Sequence, residues 1–286
     1  MNRTNPNPKE LKRAVIHCGR CGGKGIYFDP QVEIGHSGDL KLCSCITNRC
    51  QCGGYPPYRY WDEESKSREC ICRSARRRLL RTKRLFKESH IPGRFRWKFQ
   101  DDFLHSAPDG TSVPLADKVL PLVSSLVDRG AEPQVGFFLF GPPGTGKTLA
   151  GCIMLNELIL HWGKAGRFLN LSLMYFQKLR ATYSEESAHY GQTWQIIEEL
   201  CNIPFLVVDD FGIQRNTEWE EEMLYGLLDS RYADGRFTVI TTNQSVDEVQ
   251  QLSRGRIYSR ISEMCHQVEM AGMDYRQHLQ SRKYGI

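Results

Sequence analysis

The sequence predicts an α/β fold: a three-layer αβα core around a parallel five-stranded sheet, preceded by a small cross-linked module and a basic linker helix. Three observations predict it. Short apolar stretches of strand length alternate with helical patterns through the second half of the chain. A glycine-rich loop, GPPGTGKT, separates the first of those stretches from the first of those helices. Eight of the 11 cysteines crowd between Cys18 and Cys72, where aliphatic residues are few.

Residues 1–16 are polar, with Asn, Pro and Lys and little to bury, so a disordered start is expected and a secretory signal is not. No apolar run approaches the roughly 18–20 residues that span a bilayer, so the expectation is a cytoplasmic protein with no membrane partner. Residues 1–100 carry 22 Lys and Arg against 9 Asp and Glu, a net +13, while the rest of the chain is at −8. A basic first part and an acidic second part suggest two functions, the basic part facing phosphates or an acidic protein.

Residues 17–72 form the second piece. Their cysteines come in four close pairs: Cys18/Cys21, Cys43/Cys45, Cys50/Cys52 and Cys70/Cys72. Thiols stay reduced in the cytosol, so a disulfide frame is disfavoured. A redox C-x-x-C would need a βαβ context, which this Gly-rich stretch lacks. Close pairs separated by loops present thiolates to tetrahedral Zn²⁺. Eight cysteines suit two Cys₄ sites. One site with spare thiols, an Fe–S cluster, and His17 or His36 as a substitute ligand are the alternatives. Structural zinc supplies about 10–16 kcal/mol of apparent binding energy in small fingers, which becomes folding energy in a segment too short of apolar residues to hold itself. Residues 73–90 are dense in Arg and Lys with a patchy apolar face, a basic connecting helix that ends at the His90–Gly93 turn.

Residues 91–286 carry the α/β rhythm. Strands are expected at Val135–Phe140, Phe168–Leu171, Phe205–Asp209, Phe237–Thr241 and, weakly, Gln267–Met270; helices at Thr148–Trp162, Leu173–Tyr183, Gln192–Cys201, Glu218–Tyr232 and Val246–Arg260. Cys152, Cys201 and Cys265 are expected as buried core thiols. G-x-x-x-x-G-K-T between a strand and a helix is a P-loop in its confirming context. Gly141, Pro142, Pro143, Gly144, Thr145, Gly146, Lys147, Thr148 and the following Leu149 would wrap the phosphates of ATP. The glycines let the backbone come close, and the amides and helix N-terminus supply positive charge. Lys147 would reach the β- and γ-phosphates, and the Thr148 hydroxyl would ligate Mg²⁺.

In PFLVVDDFG an apolar strand ends in two carboxylates at the rim of the sheet. Asp209 would hold Mg²⁺, largely through water, and Asp210 would orient or deprotonate the attacking water, unless it only caps a turn. Asp210-Phe211-Gly212 also spells a kinase-like DFG, but the chain has no H-R-D loop and its Gly loop is of the Walker type. FTVITTN places Thr241, Thr242 and Asn243 at a strand tip, where a polar side chain can touch the γ-phosphate or start a turn.

GPPGTGKT, LVVDDFG, TTN, GRIYSRI and MDYR, in that order and spacing, resemble the AAA+ ATPases of the DnaC/DnaI helicase-loader and IstB transposition-helper group over about residues 91–276. The resemblance implies that Arg260 is an arginine finger offered to a neighbouring copy, with Arg256 as its helper, and hence a homo-oligomer. Without it, arginines at i and i+4 would be a solvated face. It further implies that Asn243 senses the γ-phosphate and that Arg276 is a second sensor. It also implies that the segment from Ser172 to Trp194 contacts single-stranded DNA, with Tyr175, Lys178, Arg180 and Tyr183 offering stacking and phosphate contacts. Finally, it implies an N-terminal zinc module that grips a replicative helicase. Many AAA+ proteins have Asp-Glu where this chain has Asp209-Asp210, which bears on hydrolysis rate more than on binding. The expected function is an ATP-hydrolysing DNA-replication factor like a helicase loader. A transposition helper acting on target DNA and a zinc-dependent scaffold with a slow ATP switch are the alternatives.

Overall fold

The computed structural model describes residues 18–30, 38–99, 114–128, 132–171, 175–212, 217–272 and 274. It divides into two compact units, Met1–Arg84 and Leu85–Ile286.

The first unit is built from short pieces. β1 (Ile26–Asp29) pairs antiparallel with β2 (Asp39–Leu42), Ile26 opposite Leu42. A one-turn helix, α1 (Ser44–Thr47), follows. β3 (Arg59–Trp61) and β4 (Ser67–Glu69) form a second antiparallel pair. The long helix α2 (Cys72–Glu88) begins on a cysteine. Among the described residues the unit's buried apolar side chains are few: Ile26, Leu40, Ile46 and Ala75, with Cys21, Cys43, Cys70 and Cys72 among them. That is too little apolar area to order more than 60 residues unaided. The connector expected at residues 73–90 is this helix, and the boundary between the units falls inside it, so its first three turns belong with the cysteines.

The second unit holds the parallel sheet, in the order β6-β7-β8-β5-β9. β5 (Gly136–Phe140), β6 (Gly166–Asn170), β7 (Phe205–Phe211), β8 (Thr238–Thr242) and β9 (Cys265–Glu269) match the expected strands to within two residues. Gly136 lets β5 close on β8, because a Cβ there would lie 1.8 Å from the Thr238 carbonyl oxygen. Helices intervene: α3 (Pro114–Asp128), α4 (Lys147–Trp162), α5 (Phe176–Ala181), α6 (Thr193–Asn202), α7 (Glu218–Ala233), α8 (Val246–Gln251) and α9 (Arg256–Met264). α4 buries ten of its 16 residues, as a helix apolar nearly all round must. α7 is capped by Thr217, and α8 by a Ser245/Glu248 capping box. Cys152, Cys201 and Cys265 are buried, as expected.

Two expectations need correction. The single helix at Val246–Arg260 is broken: α8 stops at Gln251, a 3₁₀ turn covers Leu252–Gly255, and α9 restarts at Arg256. Arg254 and Gly255 both have positive φ, 55° and 83°, which ends an α-helix. α3 was not expected at all, because Pro114, Pro121 and a Ser pair disguise its periodicity.

Candidate nucleotide site and candidate metal centres

The loop from Gly141 to Thr148 lies between the end of β5 and the start of α4. Gly141, Gly144 and Gly146 have φ of 141°, 82° and 90°, conformations that L side chains resist. Lys147 is only 6% exposed. Its Nζ donates to the carbonyls of Gly141 and Pro142, each at 2.7 Å, so the lysine is folded over its own loop. Pro143 and Leu149 lie within the same turn and first helical residues. Thr145 donates to the Pro142 carbonyl at 2.9 Å and braces the bend.

Beside the loop, β7 delivers the two carboxylates in different states. Asp209 is buried, and Thr148, Thr241 and Asn170 all hydrogen-bond to it. Thr241 Oγ1 donates to Asp209 Oδ1 at 2.7 Å. Burial is the largest influence on Asp209 and pushes its carboxyl above the usual range. The Asp210 charge adds to that, while the three hydrogen bonds work against it. A hydroxyl and a buried carboxylate in contact are hard oxygen donors of the kind Mg²⁺ takes together with water and phosphate oxygens, and a divalent cation would relieve the buried charge. Thr148 and Asp209 therefore fit the expected metal site.

Asp210 is bent out of line. Its φ is +58°, and the pairing of β7 with β8 is irregular between Val208 and Phe211. A bulge at a strand end re-aims a side chain. The Asp210 amide donates to Thr241 Oγ1 at 3.3 Å, and Asn170 Nδ2 donates to its Oδ2 at 3.1 Å. Thr241 thus binds both acidic residues, and Asn170, at the tip of β6, does the same from the other side. Asn170 escaped the sequence reading because a polar residue ending a strand resembles any turn starter. Asn243 is exposed and lines a cleft of about 480 Å³ together with Gly141, Pro142, Asp247, Glu248 and Glu269. The structure therefore brings the P-loop, Asp209, Asp210 and Asn243 to one rim of the sheet.

The arginines lie elsewhere. Arg260 Nε donates to Asp229 Oδ1 at 2.6 Å, and its guanidinium sits 4.8 Å from the Tyr232 ring centre. Arg256 lies 4.9 Å from the Tyr225 ring centre. Both arginines are on α9, held against α7 of the same chain. Arg276, with His17 and His36, lies outside the described residues.

In the stretch expected to meet DNA, the structure corrects one residue. Tyr175 is 1% exposed and packs against Phe176, so its ring cannot receive a base. One face of the short helix and the residue before it bury Tyr175, Phe176 and Leu179 and leave the polar side chains more exposed. Lys178 is partly exposed, Arg180 pairs with Glu220 and lies over Trp219, and Tyr183 is exposed. Tyr190 and Trp194, which sequence reasoning passed over, are exposed nearby in sequence.

The eight N-terminal cysteines fall into two groups, Cys18/Cys21/Cys43/Cys45 and Cys50/Cys52/Cys70/Cys72, each with all Sγ atoms within 4.8 Å of one another. The β1–β2 hairpin brings the first two pairs together. Sγ–Sγ distances are 3.7 and 3.6 Å in the first group and 3.4 to 3.9 Å in the second. A disulfide would require about 2.05 Å. Four sulfurs at about 2.3 Å from one tetrahedral ion lie about 3.8 Å apart. The thiols therefore fit one ion per group, and are too close for a multi-iron cluster, whose four thiolates are spread over two or four irons. Burial pushes the Cys21, Cys45, Cys52 and Cys72 thiols up, whereas backbone amides favour the thiolate at one cysteine of each group. The Cys21 and Arg20 amides bring Cys18 down to about 6. At Cys70 burial opposes ionisation, but the amides of Cys72, Gln51 and Cys52 outweigh it and leave the thiol at about 7.

Comparison with known proteins places this site in a family. The model of the IstB-like ATP binding proteins matches residues 130–283, more than half of the chain. The replicative helicase loader DnaC of Escherichia coli (strain K12) is 26% identical over 131 residues, 46% of this chain and 51% of that protein. The chain thus spans about half the length of that relative. The uncharacterized protein YqaM of Bacillus subtilis (strain 168) is 23% identical over 270 residues, 89% of this chain and 82% of that protein. The crystal structure of the DnaC helicase loader superposes with a TM-score of 0.52 at 22% identity, covering 63% of this chain and 100% of that one, so the fold is shared. No helix among the described residues is long and apolar enough to cross a membrane. With its family model matched over more than half of the residues, the chain belongs to the IstB-like ATP binding protein family.

Proposed function

We propose that this chain is an ATP-hydrolysing replication factor that delivers a replicative helicase to single-stranded DNA. The observation that carries the ATPase reading is the meeting of Asp209 and Thr241 with Thr148, the last residue of the P-loop. The loader reading rests on the similarity to DnaC and on the thiol-rich unit, which gives the ATPase a separate piece for holding a partner.

The residues divide the work as follows. Amides of Gly144–Thr148 bind the phosphates, and Lys147 trades the Gly141 and Pro142 carbonyls for phosphate oxygens. Thr148 and Asp209 would hold Mg²⁺, which would supply neutralising charge to the phosphates. Asp210 orients the attacking water and takes its proton as the bond from the γ-phosphorus to the leaving oxygen of ADP breaks. Asn243, in the cleft beside Gly141, meets the γ-phosphate. Arg260 leaves Asp229 to serve a neighbouring copy, an exchange made cheap because exposed ion pairs contribute only about 0–1 kcal/mol. Arg276 serves as the second sensor. Lys178, Arg180 and Tyr183 meet DNA. The two cysteine groups would each hold a zinc ion, whose binding would supply folding energy to the first unit.

The test is ATP turnover at rising protein concentration, with and without single-stranded DNA. Lys147→Ala should lose ATP binding. Arg260→Ala should keep binding and lose the concentration-dependent part of turnover, typically by 10³-fold or more for a finger. An unstimulated wild type, or an Arg260→Ala variant with full turnover, refutes the reading. The family match favours a second reading, an IstB-like helper acting on target DNA. Binding of the purified host replicative helicase separates the two.

A further inference from the structure

We propose that a groove between the two cysteine clusters is the seat for the partner helicase, and that it takes a segment of that protein with an aliphatic anchor flanked by carboxylates. This rests on the docking role proposed above. The groove has a volume of about 640 Å³ and is walled by Gly23, Lys24 and Gly25, by Ile46, by Glu69, Cys70 and Ile71, and by α2. That volume is in the range of built binding sites.

Each wall hangs on a thiol cluster. Gly25 donates its amide to Cys21 Sγ at 3.3 Å, Ile46 follows Cys45, and Ile71 lies between Cys70 and Cys72. Ile71, Ser74, Ala75 and Arg78 recur at i, i+3, i+4 and i+7, the spacing of one helical face. The two clusters therefore shape a depression that neither could form alone.

Its chemistry selects the occupant. Half-buried Ile71 supplies the aliphatic contact, over a floor formed by the buried Ile46 and Ala75. At the rim, Glu69 is engaged by Arg73, whereas Arg78 and Lys24 contribute positive charge, with Arg78 donating to the Lys24 carbonyl at 2.9 Å. Residues 18–84 carry 14 Lys and Arg against 7 Asp and Glu. An acidic flank is thus attracted to the surface. None of the ten lining residues is aromatic, so the groove has no surface on which nucleic acid bases would stack.

The test uses the full chain with the purified replicative helicase of the host, and separately with labelled single-stranded DNA. Ser74→Trp fills the groove and Arg78→Glu reverses its rim. Lys66→Trp, on the β3–β4 turn, is the control. Zinc content by native mass spectrometry confirms that each variant keeps its clusters. Helicase affinity should fall roughly tenfold or more for Ser74→Trp and Arg78→Glu, and stay unchanged for Lys66→Trp. Zinc-replete groove variants that bind the helicase like the wild type overturn the proposal. So does a loss confined to DNA binding, which would make the groove a nucleic-acid seat. A wild-type chain that binds no helicase refutes the docking role itself.

Discussion

Thr241→Val tests the site most directly. Valine keeps the shape of threonine at this buried position, so the fold should be undisturbed. What disappears is the hydroxyl that donates to Asp209 at 2.7 Å and accepts from the Asp210 amide at 3.3 Å. A hydrogen bond to a charged group contributes roughly 1.5–3 kcal/mol. Each 1.36 kcal/mol is a factor of ten in rate. If Asp209 must be aimed at Mg²⁺ and Asp210 at water, turnover should fall roughly 10- to 100-fold. Half-saturation by Mg²⁺ should shift upward, while affinity for ATP measured without metal stays close to wild type. Thr241→Ser should restore most of the turnover. The assay is phosphate release across a Mg²⁺ titration, with thermal unfolding as the control. Turnover within threefold of wild type at every Mg²⁺ concentration would show that the hydroxyl does not position the acids.

Three further outcomes are expected. A carboxyl whose folded pKa is raised contributes stability below its unfolded pKa and loses it as pH rises through the folded value, so at neutral pH the buried Asp209 charge opposes folding; Asp209→Asn should raise Tm in EDTA while abolishing hydrolysis. Cys45→Ser should lower the zinc count from two to one by native mass spectrometry and leave ATP binding by the second unit intact. Arg231 is fully buried, its pKa lowered by burial to about 9, and it bonds the Leu200, Ile203 and Phe237 carbonyls; Arg231→Met strands those acceptors and should cost about 2–4 kcal/mol in urea unfolding.

Much of the second unit is legible in the sequence because its strands are short apolar runs, and the P-loop announces both its chemistry and its flanking elements. β9 is the faintest strand: CHQVE is an edge, with two of its five residues buried or half-buried, so no apolar run marks it. The break before Arg256 is visible as Gly255 but is overridden by the apolar residues on either side. Thr241 is visible as a strand-tip residue, yet its partner is invisible, because it depends on β8 lying beside β7 rather than on any local spacing. The cysteine grouping is of the same kind. Cys18/Cys21 could pair with any other pair until the register Ile26 opposite Leu42 places Cys43 next to Cys18.

The position of β8 explains why one strand matters so much to this site. It lies between β7, which carries the acids, and β5, which feeds the P-loop. Its first residue, Thr238, accepts a hydrogen bond from Arg231 at 2.9 Å, and its last, Thr242, donates to the Phe211 carbonyl at 2.6 Å. The strand is therefore pinned at both ends, with Thr241 holding the Asp209 carboxylate and the Asp210 amide between them and Asn243 immediately beyond. A force on Asn243 from a γ-phosphate would have no slack to absorb it and would reach Thr241 two residues away. Loss or gain of that phosphate would then be felt by the acids through a single backbone segment, which needs no large motion to link nucleotide state to the geometry for hydrolysis.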